Sequence, residues 1–556
     1  MPNSGIARSG WVRFHLLLSL AVTVAPLVAA PTITSVQNAA SNIVLGLPNA
    51  SIAQGSIFII KGSGLGPATL SMASTPFQST VLNGTSVAVT SGGTTVNALM
   101  YYTSDGQVAA LLPSNTPIGL GNFTVTYNGQ TSNSVAHGID VSAPGVFTVD
   151  STGKGPAIVT YSDYSLVSSY KAANCGGPNT TCGAANPGDT LILWATGLGP
   201  VKGDDASGAG LGVNMPNLPL KVWLGGLQAP VLYQGRSGCC VGEDQIVFTV
   251  PNNVPTGCAV PLVVQLGNIV SNTTPMPVAA GSRSCNFIDP AIAKIDPAQL
   301  SGTVPFGSVE IDHLLNDTNT GFQDFAAFNF VAFTMPAALQ PFAGTFFANF
   351  AVGTCSAKTP GGIQGEIFTH QVPLDGGSKF TIAGPNGSMN VTGNSGDTIT
   401  LSNTGAFLTP GDYTLSGVGG KDIGPFTAKV NVPVLPTLTS PATPAGFTVS
   451  RSQGLTISWT PNNSSTHVEA QIGSFIGNNV GVRVTCTAPV SAGTLTFPDY
   501  VLLALPIGNG GQFNFQPGDG PGGAATLSTF SASGLALGLA QAFVDGIGFV
   551  GFNITN

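Results

Sequence analysis

The chain repeats itself, and that repeat limits its architecture more than any other feature. Residues 54–67, Gln-Gly-Ser-Ile-Phe-Ile-Ile-Lys-Gly-Ser-Gly-Leu-Gly-Pro, lie without a gap over residues 187–200, Pro-Gly-Asp-Thr-Leu-Ile-Leu-Trp-Ala-Thr-Gly-Leu-Gly-Pro. Further on, Gln107-Val-Ala-Ala-Leu-Leu-Pro113 matches Gln245-Ile-Val-Phe-Thr-Val-Pro251, and Ser132-Asn133 matches Ser271-Asn272. The second copy is longer because it inserts residues around Gly235–Asp244, a segment that holds Cys239 and Cys240 and reads as a decorated, locally stapled loop. Each copy alternates short apolar runs with Gly- and Pro-rich turns at the 8–12-residue spacing of a β-sandwich. Glycine supplies positive φ at such turns and proline stops the strand. Helical periodicity is nearly absent. The expected fold class is all-β: tandem immunoglobulin-like sandwiches over 31–142 and 143–285, followed by further β-rich domains.

The first half also carries Asn38-Ala-Ala-Ser41 and Ala143-Pro-Gly-Val-Phe147 beside the two Gly-Leu-Gly-Pro turns and Gln245-Ile…Val-Pro251. On these motifs it resembles a secreted domain family of Solibacter-type Acidobacteria, whose repeats are similar to IPT/TIG immunoglobulin-like domains. The motifs cover about residues 32–280. The resemblance implies an immunoglobulin-like fold and export. It implies no activity and transfers no functional residue.

The second half divides less plainly. Leu435-Pro-Thr-Leu-Thr-Ser-Pro-Ala-Thr-Pro444 reads as a linker between a β-rich domain at 286–436 and a sandwich-like domain at 437–556. Within the latter, Gly454-Leu-Thr-Ile-Ser-Trp-Thr460 reads as a strand with a core tryptophan. Ser450-Arg-Ser-Gln-Gly and Cys486-Thr-Ala-Pro resemble C-terminal regions of the same acidobacterial proteins.

The N-terminus reads as a secretory signal over 1–30. Arg8 and Arg13 form a basic start, Phe14–Val28 is largely apolar, and Val28-Ala29-Ala30 is a small-residue cleavage site. Only 7 % of the chain is charged, against about 25 % in ordinary domains. Its 16 Lys and Arg are outnumbered by 24 Asp and Glu, which excludes a polyanion or nucleic-acid binder. Phe325–Val352 and Gly534–Phe552 are apolar, but prolines and asparagines break the first and Asp545 and several glycines the second, so neither is expected to span a membrane.

Eight cysteines in an exported chain point to disulfides. Cys175 and Cys182 bracket a short Gly/Pro loop and are expected to pair. Cys239 and Cys240 are adjacent, so each is expected to seek a distant partner, with Cys258 and Cys285 the near candidates. Cys355 and Cys486 would then tie two later regions together, against a flexible linker. No Cys-x-x-Cys occurs, and the histidines are scattered, so a zinc site is not expected.

Catalytic motifs are missing: there is no Gly-x-Ser-x-Gly, His-Glu-x-x-His or P-loop. Gly518-Asp-Gly-Pro-Gly-Gly523 matches a dinucleotide fingerprint in letters, but a strand-like run follows it where a helix is needed. The densest charge lies in Glu310–Asp324. There Asp312, Asp317 and Asn319 offer oxygen ligands for Ca2+, although Phe322 and Phe328 stand where an EF-hand has Gly and Glu. The bland reading is a solvated loop beside a strand with a polar face. His467 and Glu469 share a strand face, as ordinary solvent-side residues do.

Two tryptophans are the sharper clue. Trp194 takes the place of Lys61, and Trp223 that of Thr90, positions expected to face outward. Such indoles stack on sugars or bind protein partners. Alternatively they pack beneath the inserted loop or against the first domain, and strands from opposite sheets would not form one platform. The sequence therefore favours a secreted or cell-surface, non-catalytic module that binds polysaccharide or envelope protein. The alternatives are a hydrolase with its site in 286–556, His370 included, and a surface-layer or fibre protein.

Overall fold

A computed structural model of the 556-residue chain describes residues 29–171, 180–287, 291–300, 302–315, 321–359, 371–441, 447–463, 465–477, 480–518 and 524–556. The signal-like segment up to residue 28 lies outside the described residues, as do Cys175, Asp317, Asn319, His370 and most of the 518–523 glycine run. Among the described residues α-helix is confined to Ala343–Phe347 and Asp499–Leu502. No described helix is long and apolar enough to cross a membrane. The remainder of the described residues is strand and turn with four short 3-10 segments, and the strands form eight sheets.

The first repeat is a two-sheet sandwich. One sheet runs Thr32–Asn38, Ile57–Ser63, Gln107–Leu111, Leu99–Thr103 in spatial order; the other runs Ile52–Ala53, Val135–Asp140, Gly119–Tyr127, Thr85–Ser91. All these neighbours are antiparallel except Ile52–Ala53, which pairs parallel to Val135–Asp140. In immunoglobulin lettering this is A-B-E-D facing A′-G-F-C. The second repeat has the same plan. Gly145–Val146, Thr190–Thr196, Asp244–Thr249 and Val231–Arg236 form one sheet, and Leu227–Ala229, Leu220–Leu224 and Gly257–Leu266 form the other, with Thr274–Val278 paired to the last. The chain is thus all-β, with tandem immunoglobulin-like sandwiches.

Alternation along the second strand of each repeat sets both core and outer surface. In the first repeat Phe58 and Ile60 point into the core, while Ile57, Ile59 and Lys61 point outward. In the second, Leu191, Leu193 and Ala195 are core, and Ile192, Trp194 and Thr196 point outward. The two outer faces meet: the Ile57 amide donates to Thr196 Oγ1 at 2.9 Å. Ile57 and Ile59 are therefore buried although they face away from their own core, which explains the unbroken apolar run Ile57–Ile60.

The inserted segment of the second repeat is pinned at both ends. Arg236 and Asp244, 2 % and 0 % exposed, form a buried ion pair, and Arg236 also donates to the Gly199 carbonyl of the Gly-Leu-Gly-Pro turn. Gly55 of the first repeat sits against that guanidinium. Its φ is +66°, and a Cβ there would lie 2.4 Å from Arg236 Nη2, so only glycine fits.

The second half departs from the expected division at 436. One sandwich pairs a sheet containing Thr303–Leu315, Phe322–Thr334, Leu537–Val544 and Thr526–Phe530 with a sheet of Gly387–Thr392, Lys379–Gly384, Gly411–Gly417 and Phe426–Val432. The other pairs Cys355–Lys358, Val480–Pro489, His467–Gly477, Gly508–Gly518 and Ile547–Thr555 with Thr437–Ser440, Leu455–Thr460 and Thr494–Phe497. Each takes strands from both sides of 436, so 286–436 and 437–556 are interleaved, not successive. Thr303–Leu315 pairs parallel to Leu537–Val544, with Ser308 opposite Leu539, 231 positions later in the chain. The apolar stretch 325–352 holds most of the long strand Phe322–Thr334, paired to Thr303–Leu315, and the short helix Ala343–Phe347. Trp459 is 3 % exposed and donates Nε1–H to the Val490 carbonyl at 2.8 Å, in the core position its sequence implied.

Candidate functional site

The outward faces of the two repeats leave a cleft of about 620 Å3 between them. From the first repeat, Ile57, Ile59 and Lys61 line it on one strand, Tyr101 and Tyr102 on a second and Gln107 on a third; Trp194, Phe147, Cys240 and Glu243 line it from the second repeat. Lys61 and Trp194, equivalent by the repeat, thus face one cavity. Trp194 is half-buried, and its indole Nε1–H donates to Thr160 Oγ1 at 3.0 Å, which leaves the ring for contact. Tyr164, 67 % exposed, lies 6.3 Å from it between centroids. Phe77 and Tyr101 stack at 4.0 Å with planes 20° apart.

Polar groups are interleaved with these rings. The Gln107 side-chain amide donates to Tyr102 Oη, and the Tyr101 hydroxyl donates to the Val241 carbonyl. Burial, with Glu243 nearby, pushes the Tyr101 phenol upward, so it stays a neutral donor. Burial likewise raises the Glu243 carboxyl, which accepts from Ser237 Oγ at 3.1 Å. Lys61 is exposed. The cleft therefore combines aromatic faces and amide and hydroxyl groups with one cation and one carboxyl. Glu243 is the sole carboxyl among its described lining residues, so the paired carboxylates of a glycosidase are not assembled there.

Trp223, expected on a solvent-facing side, is covered. Its ring stacks on Tyr500 of the C-terminal sandwich, centroids 4.5 Å apart and planes 6° apart, and Nε1–H donates to Gln265 Oε1 at 2.8 Å. It belongs to the sheet opposite that of Trp194, so the two indoles form no common platform. Sequence parity put Trp223 on an outer face but could not show that another domain covers that face. Tyr102 and Gln107 carried no signal of their own; only the Lys61–Trp194 equivalence marked this side of the sheet.

Asp312 lies on Thr303–Leu315, half-buried, with Oδ1 buried and unpaired among the described residues. Burial first, then Glu310 and Asp545, push its carboxyl up to about 8. Asp317 and Asn319, its expected Ca2+ co-ligands, lie outside the described residues. His313 and Asp324 are 2.7 Å apart. Fully buried Asp324 also accepts from the Phe407 and Leu408 amides, which makes this pair a structural tie between strand and loop.

Cysteine pairing departs from the sequence expectation for Cys239, Cys240, Cys258 and Cys285. Cys239 and Cys240 bond to each other and not to distant partners; Cys258 pairs with Cys285 and Cys355 with Cys486. Cys258 and Cys285 lie side by side at the end of the second sandwich, Cα atoms 4.9 Å apart, which leaves the adjacent pair to each other. Cys182 is disulfide-bonded.

No protein-family model and no curated protein matches the chain. Among solved structures, domains 5–6 of the S-layer protein SbsC align at 12 % identity over 45 % of this chain and all of theirs, with a TM-score of 0.16. The Bacteroides ovatus mixed-linkage glucan utilization protein SGBP-B aligns at 12 % identity over 85 % of this chain and 93 % of its own, with a TM-score of 0.13. Titin domains A168–A170 align at 11 % over 70 % and 91 %, with a TM-score of 0.13. Such scores carry no argument about function, and the immunoglobulin-like assignment rests on strand order.

Proposed function

We propose that this is an exported, non-catalytic modular protein whose inter-repeat cleft takes a segment of a largely uncharged polysaccharide. The carrying observation is that Trp194, Tyr102, Gln107 and Lys61 line one cavity of about 620 Å3 with little charge. Aromatic faces cover the apolar C–H faces of sugar rings, and amide and hydroxyl groups match sugar hydroxyls. Export is supported by buried disulfides, which persist in oxidising compartments, and by the signal-like N-terminus.

The test is incubation of the oxidised protein with insoluble cellulose, xylan and chitin, reading protein depletion and released reducing sugar from the same tubes. Depletion without sugar release, lost at least about tenfold in Trp194→Ala, is the expected result. No depletion by any of the three, or undiminished depletion in Trp194→Ala, overturns the reading. A second reading, a hydrolase, rests on Asp312: a carboxyl still largely protonated at neutral pH beside Glu310 and Asp545 has the character of a general acid. Sugar release abolished by Asp312→Asn would establish it in place of the first.

A further inference from the structure

One wall of the cleft carries chemistry that glycan binding does not use. Cys239 and Cys240 are bonded to each other in the segment pinned by the buried Arg236–Asp244 pair. Cys239 is exposed, whereas Cys258, Cys285, Cys355 and Cys486 are each at most 7 % exposed. Thiol attack on a disulfide depends on access to sulfur, so this bridge is the open one among those described. Both sulfurs and a Glu243 carboxylate oxygen lie within 4.8 Å of one another, and Cys240 and Glu243 line the cleft.

We propose that Cys239–Cys240 is a reducible disulfide whose dithiol form, together with Glu243, holds a borderline-soft divalent cation such as Zn2+ or Cd2+ at the cleft wall. The reductant is a small-molecule thiol. Two such thiols give up two electrons and become one disulfide, the Cys239–Cys240 S–S bond breaks, and the two protons end on the Cys239 and Cys240 sulfurs. Binding the cation then releases those two protons, because thiolate is the metal ligand. Two thiolates favour a soft or borderline ion over Ca2+ or Mg2+. Three protein ligands leave a tetrahedral ion one position for water or a hydroxyl in the cleft. The proposal does not depend on what the cleft binds when oxidised.

Two measurements test it on the full protein. After brief treatment with dithiothreitol and alkylation with iodoacetamide, peptide mass spectrometry should find Cys239 and Cys240 labelled before Cys182, Cys258, Cys285, Cys355 and Cys486. Earlier labelling of any of those overturns the proposal. The mildly reduced protein, freed of reductant, is then titrated with Cd2+ and followed by thiolate-to-metal charge-transfer absorbance. One saturating equivalent is expected, with the band absent in Cys239→Ser/Cys240→Ser and the affinity weakened at least about tenfold in Glu243→Gln. Near-UV circular dichroism confirms that each variant is folded. No band in the reduced protein, an unchanged band in the double serine variant, or unchanged affinity in Glu243→Gln overturns the site.

Discussion

Trp223 and Tyr500 lie face to face, centroids 4.5 Å apart and planes 6° apart, although 277 positions separate them in the chain. Around them Leu47, Val263 and Val270, from the repeats and the segment before the first sandwich's second sheet, join the apolar core of the C-terminal sandwich. The repeats are therefore docked on the C-terminal half by buried apolar contact. An aromatic pair contributes about 0.5–1.5 kcal/mol beyond its area. A double-mutant cycle of Trp223→Ala and Tyr500→Ala, followed by denaturant unfolding, should show a coupling of about 1 kcal/mol. Strictly additive losses would mean that the rings touch without stabilising the junction.

The Arg236–Asp244 pair is the most deeply buried ion pair described, at 2 % and 0 % exposure. Besides each other, Arg236 holds the Gly199 carbonyl and Asp244 accepts the Leu198 amide at 2.8 Å. Removing one partner leaves a buried charge uncompensated, which costs about 3–5 kcal/mol. Arg236→Met and Asp244→Leu should each destabilise by that order in urea unfolding. The double substitution should recover a large part, because it removes both charges. If the double variant is as unstable as either single one, the loss comes from the carbonyl and amide contacts.

How far the sequence could be read depended on the range of the contact. The repeat and the spacing of its turns sufficed for two immunoglobulin-like sandwiches, because strand alternation and turn residues are local. Trp459 was legible for the same reason. Trp223 was not: Lys221 and Trp223 share a strand face that looks like solvent side until Tyr500 covers it. The boundary at 436 failed because a Pro/Thr/Ser stretch marks a turn of the chain and says nothing of where Cys355–Lys358 or Leu537–Val544 pair. Of the candidate site, parity placed Lys61 and Trp194 outward, but their convergence on one cleft needs the packing of one repeat on the other.

Asp312 should give stability a recognisable pH dependence. Its carboxyl is raised from 3.8 to about 8 by burial, Glu310 and Asp545. Below about 3.8 both states hold the proton. Between 3.8 and about 8 the unfolded chain has released it while the folded chain retains it, so stability falls as pH rises; above about 8 the whole penalty is present. Asp312→Asn should flatten this slope and raise stability at pH 9 by an amount on the order of 2–4 kcal/mol. Urea midpoints of both proteins from pH 5 to pH 9 measure it. Parallel curves would show that Asp312 is ionised in the folded protein at neutral pH.

Cys355 and Cys486 sit opposite each other in register, on neighbouring strands. Cys355–Lys358 is a four-residue edge strand, and the chain on either side of it supplies strands to the other C-terminal sandwich. So short an edge has few ladder bonds of its own, and the disulfide fixes it. The bond closes a loop of 131 residues, for which loss of unfolded-state entropy corresponds to about 5 kcal/mol as an upper figure. Cys355→Ala/Cys486→Ala should therefore lower stability by about 2–5 kcal/mol. The form of the loss tests the interleaving. If both C-terminal sandwiches depend on strands drawn from either side of residue 436, calorimetry of the variant should show them still melting together, at a lower temperature. A variant in which one of the two melts early while the other keeps its original transition would mean that they are separable units, and that the shared strands do not couple them.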